Sequence, residues 1–73
     1  MSTKGLEVKH SLEITLRAAR VNAGLTQEQV QERLGISRST LHRIETGKSS
    51  PKYKTFCDLC RLYGISTELI KKE

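Results

Sequence analysis

Nowhere do the 73 residues carry the roughly 20 consecutive apolar side chains that a helix needs to cross a bilayer, and the opening MSTKGLEVKHS has no apolar run of the signal-peptide kind. The chain is therefore expected in the cytoplasm, with no membrane partner. Cysteine is scarce. Cys57 and Cys60 make one CxxC and no disulfide framework, which suits a reducing compartment. A structural zinc needs four ligands, but there is no second cysteine pair, and His10 and His42 lie far along the chain. Redox CxxC pairs open a helix, whose dipole lowers the thiol pKa, whereas this pair falls in mid-helix. Both cysteines are read as core packing, and no metal, cofactor or small-molecule ligand is expected. A set of Ser, His and acid with supporting context for catalysis is also missing. A chain of this length buries only about 60 % of its unfolded surface, too little for a deep multi-step active site. These absences point to a binding module and away from an enzyme.

What is there is organised around Leu25 to Lys48, LTQEQVQERLGISRSTLHRIETGK. Thr26 is a good N-cap, Gln29 three residues on completes a capping box, and Leu25 faces Val30 as a hydrophobic staple. Gly35 stops that helix. Ser37 caps a second one, with Ile36 and Leu41 at the staple positions and Gly47 as terminator. Two capped helices sharing one short turn are the signature of a helix-turn-helix, whose second helix is built to enter the major groove of DNA. Charge agrees with this. Thirteen Lys plus Arg against eight Asp plus Glu leave a net +5. Between Ile36 and Lys54 there are five basic residues and one acid, Glu45, so +4 of the +5 sits on the second helix and the loop after it.

Taken in order, Met1 to His10 has no clear period and reads as a flexible N-terminal arm, leaving 11–73 as the folded domain. From Ser11, a possible cap, helix one places Leu12, Leu16, Ala19 and Ala23 at helical spacing and ends at Gly24. Ile14, Ala18 and Val21 make a second apolar stripe on the same helix, read as deeper wedging, as a face covered by the folded-over arm, or as a contact surface for another subunit. Helix two, Gln27 to Leu34, buries Val30 and Leu34. Helix three, Arg38 to about Thr46, buries Leu41 and Ile44 and leaves Arg38, Ser39, His42 and Arg43 on the other side. A turn holding Pro51 leads to helix four, about Tyr53 to Tyr63, and Ser66 caps a fifth helix from Thr67 to about Lys72. The fold class expected is all-α, five helices with no strands.

Gln27, Gly35, Ser37, Leu41, Ile44, Glu45, Gly47, Lys48 and Pro51 stand at the spacing of the XRE family, the Cro and phage-repressor type helix-turn-helix proteins, which the chain closely resembles from about Leu12 to Ile70. The resemblance implies a compact lambda-repressor-like domain whose third helix reads the major groove, usually as a homodimer on a palindromic operator. It also assigns roles. Arg38, Ser39 and Arg43 match positions that reach base edges in relatives. Gln27 matches a residue that touches phosphate and braces the reading helix, and Thr40, Lys48 and Lys52 fall where relatives meet the backbone. Arg20 and Glu45 match an internal ion pair between helices one and three. Two residues depart from the pattern: Gln31 replaces the small Ala that many relatives have, and Lys52 replaces the usual Ser or Thr cap of helix four, so Ser49 or Ser50 is a candidate cap instead.

Elementary chemistry runs alongside the resemblance. Arg offers a planar fork that suits guanine O6 and N7, so Arg38 and Arg43 are the expected base readers. Ser39 donates or accepts and specifies less. His42 joins them on the base-reading face if phosphate favours its charged form, and is otherwise an uninvolved imidazole. An acid facing DNA would repel phosphate, which makes an inward-turned Glu45 sensible. The function expected is a sequence-specific, double-stranded-DNA-binding transcriptional regulator, a repressor acting as a homodimer. The alternative from another class is a protein–protein adapter such as an antitoxin or antirepressor.

Overall fold

The computed structural model describes residues 14–71. Among the described residues four α-helices follow one another, α1 (Leu16–Asn22), α2 (Gln27–Leu34), α3 (Arg38–Glu45) and α4 (Tyr53–Tyr63), and a 3-10 turn, Thr67–Leu69, comes after them. No strand is formed among the described residues, although Ile14 and Ile70 make one isolated parallel bridge. The expected arm Met1–His10 and the possible cap Ser11 lie outside the described residues.

Local chemistry sets most of the boundaries. Thr26 and Gln29 form the full capping box of α2: the Thr26 hydroxyl accepts from the Gln29 amide at 3.1 Å, and the Gln29 side chain accepts from the Thr26 amide at 2.8 Å. Ser37 caps α3 by accepting from the Thr40 amide at 3.1 Å. Gly35 ends α2 at φ 72°, the left-handed conformation that a side chain would strain. Lys52 does sit at the N-cap of α4, with no side-chain cap bond, and neither Ser49 nor Ser50 supplies one.

Helix one starts later than its apolar period suggested. Thr15 is its cap, accepting from the Ala18 amide at 3.0 Å, and Ile14 lies before the helix. The Ile14 amide donates to the Leu69 carbonyl at 2.8 Å, and its own carbonyl accepts from the Lys71 amide at 2.7 Å. The stripe of Ile14, Ala18 and Val21 is thereby dissolved. Ile14 packs against the core, whereas Val21 is 57 % exposed and Ala23, at the C-cap, is exposed too. The same pair explains the last element. A helix running to Lys72 was expected, but the chain makes one turn and then extends at Ile70, because the Lys71 amide and the Leu69 carbonyl are committed to Ile14. Among the described residues the helical count is therefore four plus a turn.

The core gathers Ala19 of α1, Val30 of α2, Leu41 of α3, Leu59, Cys60 and Tyr63 of α4, and Ile70. Burying a Leu or Val side chain of this kind contributes about 1.5–3 kcal/mol. The staple residues Leu25 and Ile36, and Ile65 just before the 3-10 turn, pack on this cluster as partly buried side chains. Cys60 is part of it and Cys57 is half-buried, both as free thiols. Packing α1 and α4 together fixes the frame on which α2 and α3 are held.

Candidate nucleic-acid interface

Three residues, Gly35 to Ser37, separate α2 from α3. The left-handed Gly35 turns the chain, and the Ser37 cap starts the new helix at once. Leu41 and Ile44 bury one side of α3, which settles what the opposite side presents: Arg38, Ser39, His42 and Arg43 are all exposed. Thr40, Lys48 and Lys52 are exposed as well. The Ser37 hydroxyl donates to the Thr40 hydroxyl oxygen at 2.8 Å, leaving the Thr40 proton free to donate outward.

Behind α3 lies a polar network that ties three helices together. Arg20 grips Glu45 with two nitrogens, Nε to Oε2 at 2.7 Å and Nη2 to Oε1 at 3.1 Å. The Gln27 amide nitrogen donates to Glu45 Oε1 at 3.0 Å, and Arg20 Nη1 donates to the Leu25 carbonyl at 2.9 Å. With side chains 3 % and 11 % exposed, Glu45 and Arg20 are taken almost wholly out of water. The hydrogen bonds that Arg20 donates to Glu45, and the negative charge of that carboxylate, raise the Arg20 pKa further still, against the opposing effect of burial. The lone acid of the α3 segment therefore does not face outward, and the exposed side of α3 carries no carboxylate. Removing one partner of such a pair would strand a buried charge, which is why it serves as a rigid brace.

Gln27, Arg38 and His42 line one open cleft of about 700 Å³, together with Arg17, Glu28 and the Thr26 cap. Ser39 and Arg43 lie on the exposed side of α3 outside that cleft, and Lys48 and Lys52 stand in the loop beyond it. The loop is folded back onto α3: the Lys48 and Ser49 amides both donate to the Arg43 carbonyl, at 2.9 and 3.2 Å. Arg17 was not singled out in the sequence. Its signal was present, since it precedes Arg20 by one helical turn and so shares its face. Gln31, which stands where many relatives have the small Ala, is exposed to solvent.

Among known proteins, the helix-turn-helix domain family matches residues 12–72. The SPbeta prophage-derived uncharacterized HTH-type transcriptional regulator YonR of Bacillus subtilis is 33 % identical over 57 residues, 78 % of this chain and 53 % of that protein. An uncharacterized HTH-type transcriptional regulator of Methanocaldococcus jannaschii is 36 % identical over 53 residues, 73 % of this chain and 80 % of its own. The cryptic phage CTXphi transcriptional repressor RstR of Vibrio cholerae is 36 % identical over 50 residues, 68 % of this chain and 45 % of that one. The chain thus spans about half the length of YonR. No solved structure matches it. The family match takes in the α2–α3 pair, the brace behind it and the helix that closes the core, and the chain belongs to the XRE-like helix-turn-helix domain family.

Proposed function

We propose that the chain is a sequence-specific regulator of transcription that binds double-stranded DNA, reads the major groove with α3, and acts as a repressor on a palindromic operator as a homodimer. The observation that carries this reading is the one-sided α3: Arg38, Ser39, His42 and Arg43 exposed together, with Glu45 turned inward onto Arg20 and Gln27. The names of the three relatives agree, all being transcriptional regulators and one of them a phage repressor.

Roles divide by chemistry. Arg38 and Arg43 are the base readers, each bidentate guanine contact being worth about 1–3 kcal/mol of discrimination, with Ser39 and His42 as lesser contacts on the same face. Gln27, Thr40, Lys48 and Lys52 hold phosphates and set register. The half-site arrangement requires a second copy. We assign its contact to the α4 region, because Ile14 is spent in its pairing with Ile70 and Tyr53, 80 % exposed, lines a groove of mixed character in which Leu16, Pro51 and Phe56 stand beside Thr46, Ser50 and Lys71.

Selection of bound sequences from a random duplex library, repeated with Arg38→Ala and Arg43→Ala, tests the proposal. An enriched palindrome with half-sites about one DNA turn apart is expected, and each variant should lose preference at one base pair per half-site. Weak, salt-sensitive binding with no enriched sequence would reject it in favour of the adapter reading, in which Arg43→Glu leaves partner binding intact.

A further inference from the structure

Arg17 and Arg20 lie one turn apart on α1, about 4.5 Å along the axis, yet they are used differently. Arg20 is spent on Glu45 and the Leu25 carbonyl. Arg17 is exposed, and among the described residues no carboxylate lies within ion-pair distance of it. It lines the cleft that also holds Gln27, Arg38 and His42. A long cation with no carboxylate partner among the described residues, in the same cleft as the start of α3, is placed to meet a group from outside the domain.

Resting on the DNA-binding reading above, we infer that Arg17 is a further phosphate-contact residue, extending the grip on the DNA backbone from α2 and α3 onto α1. When α3 enters the groove, the flanking strand is brought against the mouth of this cleft. A guanidinium fork matches two phosphate oxygens at once and remains charged at any working pH. Glu28 lines the same cleft and repels that strand. Arg17 therefore acts on the backbone in two separable ways, by direct contact and by offsetting the Glu28 charge, and the inference is that the direct contact dominates. Such a contact positions the protein without reading sequence, so it differs in kind from Arg38 and Arg43.

The test is a set of binding isotherms over a range of salt concentrations, on the selected duplex and on an unrelated one, for wild type, Arg17→Ala, Arg17→Lys, Glu28→Gln and the Arg17→Ala, Glu28→Gln double variant. Arg17→Ala is expected to weaken both duplexes by the same factor and to flatten the salt slope by about one unit. Base preferences and the thermal midpoint should not move, and Arg17→Lys should restore the slope. The loss should persist in the Glu28→Gln background. An unchanged slope, or a loss that disappears once Glu28 is neutral, overturns the direct contact while leaving the DNA-binding reading standing. A wild-type chain that binds no duplex overturns that reading and Arg17 with it.

Discussion

Tyr63 is the residue whose surroundings conflict most with its chemistry. It is 9 % exposed, and its hydroxyl finds no hydrogen-bond partner among the described residues. Burial, followed by the negative charge of Glu45, pushes its phenol up to about 12, against an ordinary value of about 10. Because the folded value exceeds the unfolded one, the associated stability is fully present below about pH 10 and is lost as pH rises toward 12. Tyr63→Phe should therefore remove that alkaline loss. At neutral pH it should be neutral or stabilising by up to about 1 kcal/mol, since deleting an unpartnered buried hydroxyl relieves its desolvation cost. Urea unfolding of both proteins at pH 7 and pH 11 checks this, and a clear destabilisation at pH 7 would mean that the hydroxyl is paired in solution. Residue-scale roles were unevenly legible. The outward side of α3 followed from the spacing of Leu41 and Ile44 alone. The surroundings of Tyr63 were not legible, because nothing in its neighbours along the chain says that the charges of Arg20 and Glu45 will act on its ring.

At the scale of elements, the N-caps separate into two kinds. Thr15, Thr26 and Ser37 each accept a backbone amide with a side-chain oxygen, whereas Lys52 offers none to α4. Lys52→Ser should stabilise the domain by about 1 kcal/mol by satisfying an open amide of α4. If Lys52 also holds a phosphate, the same change should flatten the salt slope of DNA binding by about one unit. Thermal melts and salt titrations of one variant thus read both properties, and a higher midpoint with an unchanged slope would strike Lys52 from the phosphate contacts. Caps and staples were legible because they act over three to five residues. The start of α1 was not: Ser11 and Thr15 both precede helical patterns, and local spacing does not rank them. Ile70, more than fifty residues away, settles the choice by engaging Ile14 in extended backbone.

For the whole molecule, the Ile14–Ile70 pair joins the entry of α1 to the exit of the 3-10 turn. Ile70 is 5 % exposed and belongs to the same cluster as Leu41 and Leu59. Ile70→Ala should cost about 2–4 kcal/mol, the usual range for emptying an aliphatic core position in a domain of limited total stability. A thermal midpoint that stays put would show that this closure is peripheral. None of the described helices is long and apolar enough to cross a membrane. The network of Arg20, Glu45 and Gln27 belongs to this scale too, since its bonds span 25 and 18 residues along the chain. The ion pair was anticipated only through family resemblance. That Gln27 shares the same carboxylate oxygen as Arg20 depends on how α1, α2 and α3 converge.

By itself the sequence determined what acts over short range or through one period: the two capped helices, the turn between them, the buried side of α3 and hence the cations on its other side. Each follows from hydrogen bonds within a single turn or from apolar spacing that only one helical phase satisfies. Tertiary structure decided where α1 begins, why the last helix shrinks to one turn, which cations remain exposed once Glu45 has taken Arg20, and that Arg17 shares a cleft with Arg38. Those outcomes hang on pairings between distant segments, whose backbone and charged groups are satisfied only after the core has brought them together.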